Sequence, residues 1–381
     1  MSPFALAWLQ LRSEKRRLAA ALAGISFAVT LILMQLGFSD ALFSSAVLVH
    51  KRLRGDLFMV SSQYTYLVST GPFTRRRLAQ AMGFAGVSSV TPINFGLSQW
   101  KNPRTNQSLP IFTLALDPSA GVFEVSDPDS LKKLTVPGVV LFDEASRPDF
   151  GPIVDQFQKL GDVSTEVNGR SIHVRGLFRL GVSFAAQGNL LTSNVSYTYL
   201  SGADPSLIDL GVIKLEPGVD PEQVRANMTK LLPNDIRILT RDALIQIDRN
   251  YWAKTSAIGF IFNLGALMGL IVGAVIVYQI LYTDVSDHLH EYATLKAIGY
   301  ADRFLVVTIL YEALIMSVLG FIPGALVSEA LYLFIQHSIM LPVGMTLERA
   351  AIVFGLTIGM CGISGVLAIR KLKSADPAEV F

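Results

Sequence analysis

The chain has 381 residues, of which 51% are hydrophobic and only 16% charged, and its mean hydropathy is +0.45. That is too apolar and too charge-poor for an ordinary soluble enzyme, and it predicts membrane integration. A formal net charge of +2, with no Lys/Arg block interleaved with aromatics, speaks against nucleic acid as a partner, and the single cysteine, Cys361, lies in an apolar run and forms no internal disulfide.

Crossing a hydrocarbon core of about 30 Å takes roughly 20 apolar residues in a helix. Residues 1–17 read as a cytoplasmic N-terminal segment bearing Arg12, Lys15, Arg16 and Arg17. Leu18–Ser39 then contains no charged side chain, and its apolar core of 21 residues is longer than the about 7 to 15 of a signal peptide, so a retained anchor is expected. The helical pattern continues to Val49, making 18–49 a first span with a stalk beyond it. At 1.5 Å per residue that stalk carries Lys51, Arg52 and Arg54 about 18 Å past the bilayer, which lowers their weight in topology.

Residues 50–240 hold most of the prolines and nearly all the strand signals, and read as a folded α+β extracytoplasmic domain inserted between spans one and two. Thr165–Val174 is predicted to be a hairpin, because Asn168-Gly169 suits the two positive φ angles of a type I′ turn. Leu210–Leu215 reads as a strand. Asp220-Pro221-Glu222-Gln223 starts a helix, with Asp220 as N-cap and Gln223 completing a capping box, and Ile236–Leu239 is the next strand. A matching strand–helix–strand unit over Leu57–Ser61, Phe73–Met82 and Ser88–Trp100 opens the domain. Two such halves predict one split α+β lobe with a β-rich insertion.

From Thr240 the pattern turns helical and is expected to run unbroken through Trp252 into a second span, so 241–283 is a stalk plus span two. Residues 284–303 are polar and amphipathic. Spans three (304–336) and four (347–370) follow, joined by a short loop (337–346), and 371–381 is a cytoplasmic tail that begins with Lys371 and Lys373. The basic residues at both ends, with an even number of spans, place both termini in the cytoplasm and residues 50–254 outside.

Gly265, Gly269 and Gly273 recur every four residues in span two, a spacing that serves close helix packing or a homodimer face. Pro323 is expected to kink span three. Glu312 and Glu329 lie inside that span, where a carboxyl is costly enough to imply a purpose, and a structural hydrogen bond is the expected one. The chain has no Gly-Lys dipeptide, hence no Walker A loop, and no paired catalytic groups that would make it an intramembrane enzyme. His288 and His290, beside Asp287 and Glu291, point to different sides of a helix and make a poor metal site. No cofactor or metal is expected in this chain. Within Asp284–Asp302, Leu289, Tyr292, Leu295 and Ile298 form an apolar ridge, Gly299 offers a C-terminal stop, and Lys296 is the only Lys or Arg among several acids. That balance suits a protein partner better than an anionic lipid surface.

The opening "LAWLQLRSEKRRLAAALAGISFAVTLILMQLGFSDALF", the stretch "EYATLKAIGY", the third-span "YEALIMSVLGFIPGAL" and the tail "KSADPAEVF" resemble the MacB/FtsX-type ABC permeases, and most closely the DevC permeases of the heterocyst glycolipid exporter. The resemblance covers the whole chain. It implies a multi-pass homodimer in the bacterial inner membrane with a MacB-like periplasmic lobe. ATP and Mg would be bound by a separate ABC ATPase subunit, since MacB proteins carry theirs at the N-terminus and only about eleven residues precede Arg12 here. Carried onto this chain, Leu289, Tyr292, Leu295, Lys296 and Gly299 become ATPase-coupling contacts, with Asp376–Phe381 a second contact. The resemblance further implies a tripartite pump with a membrane fusion (adaptor) protein and a TolC-like outer-membrane channel, and contact with membrane lipids. The alternative is an FtsX-like transmitter that does not transport and regulates a periplasmic enzyme.

Overall fold

The computed structural model describes residues 2–183 and 186–374. Among these, four helices are long and apolar enough to cross a membrane, over Lys15–Ala46, Ala257–Asp287, Asp302–Ser338 and Leu347–Ile369. An α+β domain is inserted between the first and second. The chain divides into two compact units, Met1–Asp40 with Ala257–Ser338 and Pro342–Phe381, and Ala41–Ser256 with Ile339–Leu341.

The chain begins with α1 (Pro3–Ser13), a helix within the segment 1–17, over which sequence reading set no secondary-structure expectation. Ser2 caps it by accepting from the Ala5 N–H, and Pro3 occupies the first turn. The first span is α2 (Lys15–Ala46), and one turn residue, Val47, separates it from α3 (Leu48–Arg52). The domain then runs β1 (Leu57–Ser61), β2 (Phe73–Thr74), α4 (Arg76–Met82), β3 (Val87–Lys101), β4 (Ser108–Leu116), α5 (Pro128–Lys132), β5 (Val139–Asp143), α6 (Ile153–Leu160), β6 (Val163–Val167), β7 (Arg170–Phe178), β8 (Asn189–Ser193), α7 (Asn194–Ser201), β9 (Leu207–Ile208), β10 (Leu210–Leu215), α8 (Pro221–Leu231), β11 (Ile236–Leu239) and α9 (Arg241–Asn250).

The expected split lobe is present. β1 lies between β10 and β11 and pairs antiparallel with both, while β10 lies between β1 and β3, so the two strand–helix–strand halves interleave. Their helices cover one face, where Leu78, Ala81, Val224 and Met228 pack on Leu57, Met59 and Ile213. Each such fully buried aliphatic side chain contributes about 1.5–3 kcal/mol. Asp220 caps α8 by accepting from the Glu222 N–H at 3.0 Å.

The β-rich insertion grows out of β3, whose 15 residues serve two sheets. Its first half pairs with β10, and its second half pairs with β4 and, at Trp100 and Lys101, with β6. The pairings β3–β4–β8–β5–β7–β6–β3 therefore close on themselves. Trp100 fills the interior with Phe142, Phe150 and Ile172 and donates its indole N–H to the Phe150 carbonyl at 3.0 Å. The β6–β7 hairpin turns at Asn168 and Gly169 with φ of 51° and 74°, as a type I′ turn requires.

Helix α9 does not run unbroken into the second span. Residues Tyr251–Thr255 widen to a π-helical turn and Ser256 is extended, with ψ 142°. The Ser256 N–H reaches the Tyr251 carbonyl at 2.8 Å and its hydroxyl the Trp252 carbonyl at 2.7 Å. Those bonds satisfy the end of one helix locally, so the next starts afresh at Ala257. Second, third and fourth spans are α10 (Ala257–Asp287), α12 (Asp302–Ile339) and α13 (Leu347–Ser374), with the short α11 (Leu289–Ala297) between α10 and α12. Helix α12 continues through Pro323 as one element.

The spans pack through small residues and hydroxyls. Gly320 and Gly324 of α12 lie against Ile25, Ser26 and Val29 of α2. Ser26 and Thr30 donate to the Gly320 and Gly324 carbonyls at 2.9 and 3.2 Å, and Ser364 of α13 donates to the Ala274 carbonyl of α10 at 2.8 Å. A Cβ at Gly324 would sit 2.8 Å from the Ser26 carbonyl oxygen, whereas one at Gly355 would meet nothing within 4 Å. Gly324→Ala is expected to destabilise the purified full-length protein by about 1–3 kcal/mol, and Gly355→Ala to leave it unchanged or slightly more stable. Thermal unfolding of both variants in one detergent checks this; equal effects would contradict the packing.

Candidate functional site

The polar stretch between spans two and three folds as a helix with two unlike faces. Helix α11 ends where Gly299 adopts φ 105°, and the Tyr300 N–H returns to the Leu295 carbonyl at 3.1 Å, a closure that a side chain at 299 would strain. On the inner face, Leu289 and Leu295 are half-buried and Tyr292 is 1% exposed, in one apolar cluster with Leu11, Ile309 and Ala313. On the outer face Glu291, Thr294, Ala297 and Ile298 are exposed, Ile298 by 71%.

This placement corrects the reading of Tyr292 as an outward anchor for a partner. Its hydroxyl lies 3.3 Å from Nε2 of Gln10, itself buried, so the ring is spent on joining α11 to α1. Burial pushes its phenol above the usual range, and the Glu312 and Asp284 carboxyls nearby add to this. An apolar ridge at threes looks the same whether it is covered by a partner or by the chain itself. Here the cover comes from a helix 282 residues earlier. The pattern Phe4, Trp8, Leu11 behind the Ser2-Pro3 start was the available signal for that helix.

The same end of the bundle is tied by charge. Arg17 of α2 pairs with Glu14 at 2.6 Å, with Asp287, and with Asp284 at 3.4 Å. The His288 ring is 3.6 Å from Asp284, facing inward, while His290 lies on the exposed side. Lys296 pairs with Asp302 at 2.9 Å and so braces the turn into α12. Gly299 is exposed. The tail contact expected at Asp376–Phe381 lies outside the described residues.

Glu312 is fully buried, no N–H or hydroxyl among the described residues reaches its oxygens, and the group it meets is the Asp284 carboxyl, with which it can form the expected bond only by sharing a proton. Oδ2 of the neighbouring Asp284 is likewise unmatched. Glu329 is half-buried with Oε2 unmatched; one turn along α12, Tyr332 lies under Arg349, which pairs with Asp40 at 2.6 Å. The three glycines of span two are taken up within the chain: Gly265 faces Gln35, Gly269 faces Leu31 and Ile32, and Gly273 faces Ala28 and Met360.

A second polar group, spread over three distant segments, escaped sequence reading altogether. In the α+β domain His50 of α3, Tyr64 after β1 and Asp248 of α9 are 0%, 3% and 0% exposed. Tyr64 Oη donates to Asp248 Oδ1 at 2.8 Å and lies 3.0 Å from His50 Nε2; the Leu67 N–H donates to Asp248 Oδ2 at 3.1 Å. Burial lowers the His50 imidazole to about 4 and raises the Asp248 carboxyl to about 7.

Fold and site thus define a four-span membrane protein with an α+β domain after its first span and a two-faced helix between its second and third. Residues 263–377 match the family described as FtsX-like permease C-terminal. Over 97% of its length the chain is 24% identical to an uncharacterized ABC transporter permease of Mycobacterium tuberculosis strain H37Rv, 96% of which is covered. A second permease of that description, from Mycobacterium bovis, is 23% identical over the same shares of each chain. Among solved structures, the periplasmic region of MacB from Actinobacillus actinomycetemcomitans aligns at TM-score 0.36 and 15% identity, covering 52% of this chain and 94% of that one. The extracellular domain of the noncanonic ABC-type transporter YknZ from Gram-positive bacteria aligns at TM-score 0.34 and 12% identity, covering 49% and 99%.

Tyr292→Phe removes one hydrogen bond and is expected to cost about 1 kcal/mol. Tyr292→Asp puts a third carboxyl beside Glu312 and Asp284 in a buried site and is expected to cost more than about 3 kcal/mol. Thermal unfolding without any partner reads both; an unaltered Tyr292→Asp protein would contradict the inward placement.

Proposed function

We propose that this chain is the permease subunit of an ABC exporter of the MacB/DevC type, driven by a separate ATPase that docks on α11. The termini and α11 face the cytoplasm, and the α+β domain is periplasmic. Two copies form a two-fold dimer, which matches the symmetry of a closed pair of nucleotide-binding subunits. Gly265, Gly269 and Gly273 are already packed within one chain, so the dimer contact lies on another face of the bundle. A membrane fusion protein and a TolC-like outer-membrane channel complete the export path, and the substrate is a lipid or glycolipid-like amphiphile.

The observation that carries this reading is the division of α11. Its inner residues Leu289, Tyr292 and Leu295 are packed into the bundle, so force applied from outside is delivered to α1, α10 and α12 rather than lost in a loose loop. Its outer residues, Ile298 above all, are left for a partner. The coupling contacts are therefore Glu291, Thr294, Ala297 and Ile298, with Lys296 and Gly299 shaping the turn.

Ile298→Asp is expected to fold and insert as the parent does, since the side chain touches little in this chain. It should nonetheless lose about 2 kcal/mol of ATPase binding, roughly a thirtyfold drop in affinity. Co-purification of the ATPase and permease-dependent ATP hydrolysis measure this. Undiminished binding with normal export would overturn the docking face. Normal ATPase coupling in a protein that moves no amphiphile across vesicles, yet controls a periplasmic enzyme, would replace export by FtsX-like regulation.

A further inference from the structure

His50 and Asp248 belong to the two helices that flank the membrane spans in the chain: α3 follows the first span after one residue, and α9 precedes the second. These helices touch, and Tyr64 is the bridge between their polar groups, 2.8 Å from one and 3.0 Å from the other. Such a chain of groups can be read in two directions. With Asp248 ionised, the Tyr64 hydroxyl donates to it and His50 Nε2–H donates to Tyr64. With Asp248 protonated, its O–H donates to Tyr64 Oη and Tyr64 donates to the bare Nε2. His50 Nδ1 has no partner among the described residues, and in the second arrangement it carries the ring proton just as it would in a cationic ring. What burial of His50 and Asp248 disfavours is therefore the pair of charges, a carboxylate beside an imidazolium, and not the unmatched N–H. The other charged group packed here, among the described residues, is Arg237 of β11, whose guanidinium donates to the Tyr64 carbonyl.

We propose that His50, Tyr64 and Asp248 form a one-proton latch between α3 and α9, in which the proton rests on Asp248 while the helices are together and on His50 once they part. The transfer is balanced: the Asp248 proton passes to Tyr64 Oη as the Tyr64 proton passes to His50 Nε2, leaving a carboxylate, a neutral phenol and an imidazolium. Closed, the network is uncharged and buried. Open, water stabilises the separated charges. What parts the helices rests on the proposed mechanical role of this domain, but the latch itself does not.

The pH dependence follows from each group in turn. Asp248, raised from 3.8 to about 7, contributes stability that is full below 3.8 and lost as pH rises to about 7. His50, lowered from 6.5 to about 4, contributes stability that is full above 6.5 and lost as pH falls to about 4. Between about pH 4 and 6.5 the two slopes cancel, because closed and open forms each hold one proton. The latch thus opens without taking a proton from solvent or releasing one.

Amide hydrogen exchange of the full-length protein in lipid nanodiscs, without ATPase and corrected for intrinsic rates, reads the opening of residues 48–52 and 241–250. Wild type is expected to show an opening equilibrium constant that varies less than about threefold from pH 4.5 to 6.5. Asp248→Asn should open up to about tenfold more for each pH unit lowered through that range, and His50→Gln up to about tenfold more for each unit raised. The same sign of slope in both variants, or a steep slope in wild type, would overturn the latch. Should either variant fail to fold, NMR of ¹³C-histidine-labelled wild type decides: His50 is expected to be neutral at pH 5.5, and a charged ring there overturns the proposal. Expected slopes in a protein that ATP does not move would leave the latch standing and refute the mechanical reading instead.

Discussion

The close approach of α2 to α12 sets the geometry of the bundle. In a bilayer apolar side chains gain nothing by leaving lipid for one another, so helices hold together where their backbones can come near enough for contact and hydrogen bonds. Gly320 and Gly324 provide that nearness, and Ser26 and Thr30 use it by donating to the carbonyls exposed there. Helix α10 meets the same α2 through Gly265, Gly269 and Gly273, and α13 joins it through Ser364. The first span is therefore the common partner of the second and third, and any displacement of those two is felt along its length.

At one end of this bundle the constraint becomes electrostatic. Glu14, Asp284 and Asp287 gather around a single arginine, Arg17, and beside Asp284 lies the fully buried Glu312, whose carboxyl no N–H or hydroxyl among the described residues compensates. Such a cluster is costly unless its parts are held in register. Helices α1 and α11 do so by closing over it, with Tyr292 and Gln10 as the contact between them. The helix proposed to receive force is thus joined to the bundle at its most tightly determined place.

Much of this was legible in the residues. Three spans follow from charge-free runs and the remaining one from a run broken only by Glu312 and Glu329, the β6–β7 hairpin follows from Asn168-Gly169, and the split lobe from two strand–helix–strand patterns, because each signal is local. What escaped is what depends on distant partners. The closing of β6 onto β3 pairs Trp100 with Val167, and no pattern in either strand announces it. The inward turn of Tyr292 is decided by α1, and the burial of His50 and Asp248 by segments 184 residues apart in the case of Tyr64 and Asp248. The break at Ser256 is local but was masked by the helical pattern on both sides, since one extended residue leaves little trace in periodicity.

In the proposed function, pressure on α11 moves the spans and with them α3 and α9, the helices adjoining the first and second spans in the chain. Spin labels at exposed positions Lys51 and Arg249, one on α3 and one on α9, report on it directly in the assembled complex with its ATPase, with Cys361 replaced by Ser. The account predicts that trapping the ATPase in its ATP-closed form shifts the distance distribution between the two labels. An identical distribution with and without nucleotide, in a complex whose ATPase is bound and closed, would contradict it.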